Sequence, residues 1–206
     1  MRVCDIGLSM SNETAGMPSQ YPERMSNWLD WQKSYRFGVL LVLPPEQVRD
    51  EINALRSIYD PASHSGAKAH ISLTVPFPRE PDEHAWSALQ RIASGFTPFT
   101  IRYGPLVPFL PKPGAALDIQ PQAELDRLRC ALEDCDIFKG TGPRAYPFWA
   151  HMTIAEFISV ADTKKLVREI GGDHAPRGCF ICDHISHLVP DERFCFREVR
   201  RLVLCT

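Results

Sequence analysis

Two stretches of this chain, about eighty residues apart, carry the same alternation: "AHISLTVPF" (69–77) and "FWAHMTIAEF" (148–157) each run Ala-His, apolar, hydroxyl, apolar. Side chains alternate faces along a β-strand, and a two-residue step covers about 6.6 Å. The pattern therefore predicts two strands. One shows His70 and Ser72 on a single face with Ile71 and Leu73 behind them. The other shows His151 and Thr153 on a single face with Met152 and Ile154 behind. Each strand offers an imidazole and an alcohol on a rigid apolar backing.

The rest of the chain supplies elements to hold two such strands. "RFGVLLVLP" (36–44) reads as a buried strand stopped by Pro44-Pro45, and Val48, Ile52, Leu55 and Ile58 then recur at helical spacing. "EPDEHAWSALQRIASGF" predicts a second helix through Trp86, Leu89 and Ile92, ending near Gly95. Runs 99–111 and 115–121 read as strands, and Leu125, Leu128 and Leu132 mark a third helix. After the His151 strand, "DTKKLVREIGG" predicts a helix halted by Gly171-Gly172. "GCFICDHISHLV" and "FCFREVRRLVL" close the chain as a hairpin turning at "PDER". The two halves repeat in layout, each centred on a His-x-Ser/Thr strand. The expected fold class is α+β: a bilobal, duplicated fold with two mainly antiparallel sheets and flanking helices around a central cleft. Residues 1–33 are polar and form an N-terminal extension, flexible or docked through Trp28 and Trp31, and residues 34–206 form the two-lobed domain.

If the two strands face each other across the cleft, the site holds two imidazoles and two alcohols. That set suits displacement at phosphorus. One neutral imidazole takes a proton from water or a ribose hydroxyl, and the other, protonated, hands one to the departing oxygen. Ser72 and Thr153 can donate hydrogen bonds to the non-bridging oxygens. Such a pair needs no metal and no cofactor, and ordinary histidines would give a bell-shaped pH profile. Two positions upstream on the same faces stand Lys68, able to meet a phosphate, and Trp149, able to stack on a base; the plainer alternatives are a solvated lysine and a core tryptophan. Arg144, Tyr146 and Phe148 are further candidates for the cleft rim.

"HISL" (70–73) and "HMTI" (151–154) resemble the paired H-x-T/S-x signature of the 2H phosphoesterase superfamily, in its 2',5' RNA ligase-like and cyclic nucleotide phosphodiesterase branch. The similarity covers about residues 36–205, with the extension outside it. The resemblance implies a pseudo-twofold fold whose cleft is lined by His70, Ser72, His151 and Thr153. It implies cleavage of 2',3'-cyclic or 2',5'-linked phosphoesters of nucleotides or RNA ends, or ligation in reverse, without metal. Ser72 departs from the commoner Thr but keeps the hydroxyl.

Composition narrows the partners. A formal charge of −2 and a pI near 6.4 exclude coating of long nucleic acid and leave a nucleotide or RNA terminus in a local pocket. No apolar run approaches membrane-spanning length and the first residues lack a secretory core, so a cytoplasmic, monomeric protein is expected. Seven cysteines without a disulfide framework fit free thiols in a reducing compartment. "CFICDHISH" (179–187) holds Cys179, Cys182, His184 and His187, but a continuous strand would point them to opposite faces, which argues against zinc. "REVRR" (197–201) reads as a solvated face, with an RNA-facing patch as the alternative. The competing functional classes are a non-catalytic nucleotide or RNA-end binder of the same fold and a zinc-stabilised scaffold.

Overall fold

Eight strands and five α-helices occupy the described residues of this computed structural model, which are 20–109, 112–142, 144 and 146–205. The first nineteen residues of the extension and the end of the 99–111 run lie outside them. In order come β1 (Val39–Val42), α1 (Glu46–Tyr59), α2 (Pro61–Gly66), β2 (Ile71–Ser72), α3 (Glu83–Ala93), β3 (Phe99–Pro108) and β4 (Gly114–Gln120). There follow α4 (Gln122–Glu133), β5 (His151–Glu156), α5 (Val160–Ile170), β6 (Gly178–Cys182), β7 (His184–Pro190) and β8 (Phe196–Val203). All pairings are antiparallel, in one sheet ordered β2-β1-β7-β8 and another ordered β5-β4-β3-β6.

The two lobes are not the two successive halves of the chain. β3 crosses into the second sheet beside β4, while β7 and β8 return from the C-terminus to the first, with Val39 opposite Leu188. The units that repeat are strand–helix–strand: β1, α1, β2 and β4, α4, β5. In each the motif strand is the free edge of its sheet, and the two edges lie side by side.

Helix faces explain much of the core. Leu125, Leu128 and Leu132 of α4 are fully buried, worth about 1.5–3 kcal/mol each. Trp86, Leu89 and Ala93 form the inner stripe of α3. The last turn of α1 differs from expectation: Ile58 is 69% exposed, and the buried positions are Ile52, Asn53 and Arg56. That end of α1 abuts the cleft, where backbone groups of the motif strands need polar partners.

Two strand expectations also change. The 69–77 run pairs as a strand only at Ile71 and Ser72, opposite Val42 and Leu41. Leu73 and Thr74 both donate to the Leu40 carbonyl, and side chains take neighbouring N–H groups: Asn53 Oδ1 that of Ala69, Glu133 Oε1 that of Val75. The 179–187 run breaks at Asp183, with β6 in one sheet and β7 in the other. His187 is buried against Phe77 and Trp86, and its Nε2 donates to the Phe37 carbonyl. Among the described residues no group of three or more His, Cys, Asp or Glu is gathered to hold a metal, and the six described cysteines are free. No helix there is long and apolar enough to cross a membrane.

Residues 20–35 pack on the β7–β8 hairpin. Trp28 is buried and donates from Nε1 to the Glu192 carbonyl at 3.0 Å, while Arg197 Nη2 donates to the Gln20 carbonyl at 2.8 Å. Trp31 does not bury as Trp28 does and stays 52% exposed. The chain turns from the extension into β1 at Gly38, whose φ of +80° and contact with the Leu188 carbonyl leave no room for a Cβ.

Candidate active site

Each motif strand begins with the same device. The N–H of Ala69, just before His70, donates to Asn53 Oδ1 of α1 at 2.8 Å, and the N–H of Ala150, just before His151, donates to Gln122 Oε1 of α4 at 2.9 Å. Gln122 also donates from Nε2 to the carbonyls of Ala150 and Ile119. Both alanines are fully buried. A side-chain amide on the helix of each repeat thus sets the backbone from which the imidazole projects. Nothing in the spacing singles out Asn53 or Gln122, since each reads as an ordinary polar helix residue.

The imidazoles are held alike. His70 Nδ1 lies 2.6 Å from the Lys68 carbonyl, and His151 Nδ1 lies 2.7 Å from the Trp149 carbonyl. A carbonyl only accepts, so both Nδ1 atoms carry the proton and both Nε2 atoms are left with the lone pair. Behind the motif, Ile71, Leu73, Met152 and Ile154 are fully buried, which keeps the rings and alcohols on the open side. Ser72 and Thr153 flank the same hollow as the two histidines, a cavity of about 510 Å³.

The surroundings differ. Burial lowers the His70 pKa to about 4; the Lys68 carbonyl resists, and the nearby charges of Arg56 and His151 add to the fall. Burial also lowers the His151 pKa, against the pull of the Trp149 carbonyl. The ring of His151 lies between aromatic neighbours, stacked on Trp149 at 4.7 Å and met edge-on by Phe109 at 4.9 Å.

Arg56 joins the halves. Its side chain is nearly inaccessible and lines the cavity, with Nη1 donating to the Thr153 carbonyl at 2.7 Å and Nη2 to the Ala67 carbonyl at 3.0 Å. Nε is buried without a partner. Asp60 completes the join by accepting from Ser63 N and Glu156 N. Burial, and after it the charge of Asp60, raise the Glu156 pKa, so Glu156, at the cavity edge, is held less readily as an anion. Arg56 sits within a helical stripe, where the sequence offers no sign that it turns inward.

The other sequence candidates fall elsewhere. Neither the Lys68 nor the Trp149 side chain lines the cavity; both residues reach the site through their main-chain carbonyls. Lys68 is exposed beside His64, at 3.4 Å from its Nε2, because the extended pairing that would align it with His70 starts only at Ile71. Trp149 donates from Nε1 to Asp118 and backs His151 with its ring, so no free face is turned to the hollow for a base. Arg144 pairs with Glu133 and donates to the Leu73 carbonyl, Phe148 packs between Arg129 and Arg144, and Tyr146 lies under Lys112. The guanidinium groups of "REVRR" are engaged too: Arg200 with Glu83, Arg201 with Glu198, Arg197 with Gln20.

A duplicated two-sheet fold whose free edges bring two histidines and two alcohols to one cavity defines a 2H-type architecture. The model of the 2'-5' RNA ligase superfamily matches residues 44–193, and the chain belongs to that family. It is 29% identical over 126 residues to "Putative phosphoesterase OB1230" of Oceanobacillus iheyensis, spanning 59% of this chain and 70% of that one. The fold is shared with E. coli LigT solved with 3'-AMP, at a TM-score of 0.56 and 17% identity over 82% of this chain and 97% of LigT. A crystal structure described as a phosphoesterase gives a TM-score of 0.55, also at 17% identity, over 82% and 97% of the two chains. Membership and fold together make this a phosphoesterase of the 2H type.

Proposed function

We propose that the protein hydrolyses 2',3'-cyclic or 2',5'-linked phosphoesters of nucleotides or RNA ends by acid–base catalysis between His70 and His151, without a metal. The observation that carries this reading is the twin lock on Nδ1, which leaves both Nε2 atoms available beside one cavity with Ser72 and Thr153. LigT has been solved with 3'-AMP, ATP and NADP+, which supports a nucleotide as the ligand class here. His70, held neutral, is the base: water loses a proton to its Nε2 as the water oxygen bonds to phosphorus. One ester P–O bond breaks, and the departing ribose oxygen takes the proton of a protonated His151. Ser72 and Thr153 donate to the non-bridging oxygens, where negative charge builds. Residues 34–206 carry this activity, with residues 1–33 as an added segment.

The test is hydrolysis of 2',3'-cyclic and 2',5'-linked nucleotides by wild type and by the His70→Ala/His151→Ala double variant. Turnover should persist in EDTA and disappear in the double variant. A requirement for added Mg²⁺ or Mn²⁺, or an inert wild type that still binds nucleotide, would sink the catalytic reading and leave a binding protein of the same fold.

A further inference from the structure

Beside the histidines, the lining of the cavity includes a group of aromatic rings. Trp31 comes from the extension, Tyr35 from the segment that leads on into β1, and Phe194 and Phe196 from the β7–β8 hairpin and its strand. All four lie outside the segment that matches the family. They form a continuous edge-to-face cluster: Trp31 to Phe194 at 5.5 Å, Tyr35 to Phe194 at 5.9 Å and Tyr35 to Phe196 at 5.8 Å. Trp28, hydrogen-bonded to the Glu192 carbonyl, braces Phe194 from the buried side at 5.0 Å. Phe194 has a φ of +63°, a strained conformation for a bulky residue that persists only where its surroundings enforce it. A ring as large as Trp31 left 52% exposed beside this cluster presents apolar surface to the hollow.

Charge in the cavity is sparse. Among the described residues that line it, Arg56 is the one lysine or arginine, and each of its Nη atoms already donates to a carbonyl. A single phosphodiester, with one negative charge, is matched by Arg56 and a protonated histidine. A run of phosphates would meet no further lysine or arginine among the described residues of the lining, whereas grip on a nucleic-acid chain grows with each phosphate neutralised. About 510 Å³ lies within the range of small-ligand pockets, roughly 300–1,000 Å³.

Resting on the proposed function, we infer that the Trp31–Tyr35–Phe194–Phe196 wall is the subsite for the base, and that the substrate is a single nucleoside phosphodiester rather than the end of an RNA chain. The base lies on Trp31 while its phosphodiester reaches the two Nε2 atoms. Stacking on an aromatic side chain contributes about 1–3 kcal/mol per base, so tenfold is the scale of the expected effect.

The experiment compares wild type with Trp31→Ala on three probes: adenosine 2',3'-cyclic phosphate, the base-free glycerol 1,2-cyclic phosphate, and an RNA tetramer ending in a 2',3'-cyclic phosphate. The preference in kcat/KM for the nucleotide over the base-free diester should fall about tenfold in Trp31→Ala and largely return in Trp31→Phe. A general loss of structure would lower both rates and leave that ratio unmoved, which overturns the subsite. Wild type should use the mononucleotide better than the tetramer; equal or better use of the tetramer overturns the single-nucleotide limit. Calorimetric binding of 3'-AMP, against inorganic phosphate as the base-free probe, reads the wall without turnover. About tenfold weaker binding of 3'-AMP alone in Trp31→Ala supports the subsite even if the proposed hydrolysis fails, and equal weakening of both overturns it.

Discussion

The His70 and His151 half-sites begin as copies and end as different chemical environments. Both place an imidazole two residues beyond a carbonyl that takes its Nδ1 proton, and both are braced by an amide from the helix of their own repeat. His70 directly precedes the two-residue strand β2, near Arg56, and its pKa is pushed down to about 4. His151 heads a six-residue strand, packed between Trp149 and Phe109 and without that cation among the causes of its shift. In the proposed reaction the duplication supplies two similar imidazoles, and their unequal surroundings suit one to take a proton and the other to give one. Burial depresses both pKa values and the charge of Arg56 adds to the fall at His70, an asymmetry that the repeated motif does not show.

Removing either histidine attacks the comparison most directly. His70→Ala and His151→Ala should each lower kcat/KM by at least ~10²-fold in a steady-state assay, with the double variant far less impaired than the product of the two. Effects that multiply would mean that the rings act independently and would break the pairing. Ser72→Ala and Thr153→Val come next, each expected to lower kcat by about 10²-fold with little change in KM, as for loss of a donor to developing charge. A loss confined to one of them would show that the phosphate is held by a single repeat.

Arg56→Ala sharpens the comparison through its shared clamp. It leaves the carbonyls of Ala67 and Thr153 without their charged donor and should cost about 3 kcal/mol in urea unfolding. Arg56→Lys should recover only part of this, because one ammonium cannot repeat the fork geometry. Unchanged stability in Arg56→Ala would show that the strands need no such link.

The mildest probe is pH. A base is active when deprotonated, and the His70 pKa near 4 puts the acid limb of kcat/KM low. The acid partner must be protonated, and the His151 pKa lies below the ordinary 6.5, so activity should already decline as pH rises through that region. The kcat/KM profile of the free protein should therefore peak on the acid side of neutrality, displaced from the bell that two ordinary histidines would give. A maximum above pH 7 would show that burial does not hold the two imidazoles below the ordinary histidine value.

Legibility in the sequence followed locality. The four motif residues were readable because alternation ties side-chain direction to position, and the buried Ile71, Leu73, Met152 and Ile154 obey it. Helices α3, α4 and α5 announced themselves by stripes and stop signals. Same-face logic does not extend to the side chains of Lys68 and Trp149, because regular pairing has not begun before Ile71 and His151. Arg56, Asn53 and Gln122 were invisible for another reason. A polar residue on a helix looks the same whether it meets water or a carbonyl of a distant strand.

By itself the amino-acid order determined the second His-x-Ser/Thr strand, the buried backing of both motifs, the stripes of α3 and α4 and the α+β class, since those depend on periodicities within a few residues. Tertiary structure alone decided that β3, β7 and β8 exchange between lobes, that Arg56 bridges the motif edges, and that aromatic rings from both ends of the described chain wall the cavity. Those features depend on which distant backbone groups are left needing a partner, and which apolar faces are left uncovered, once the sheets have formed.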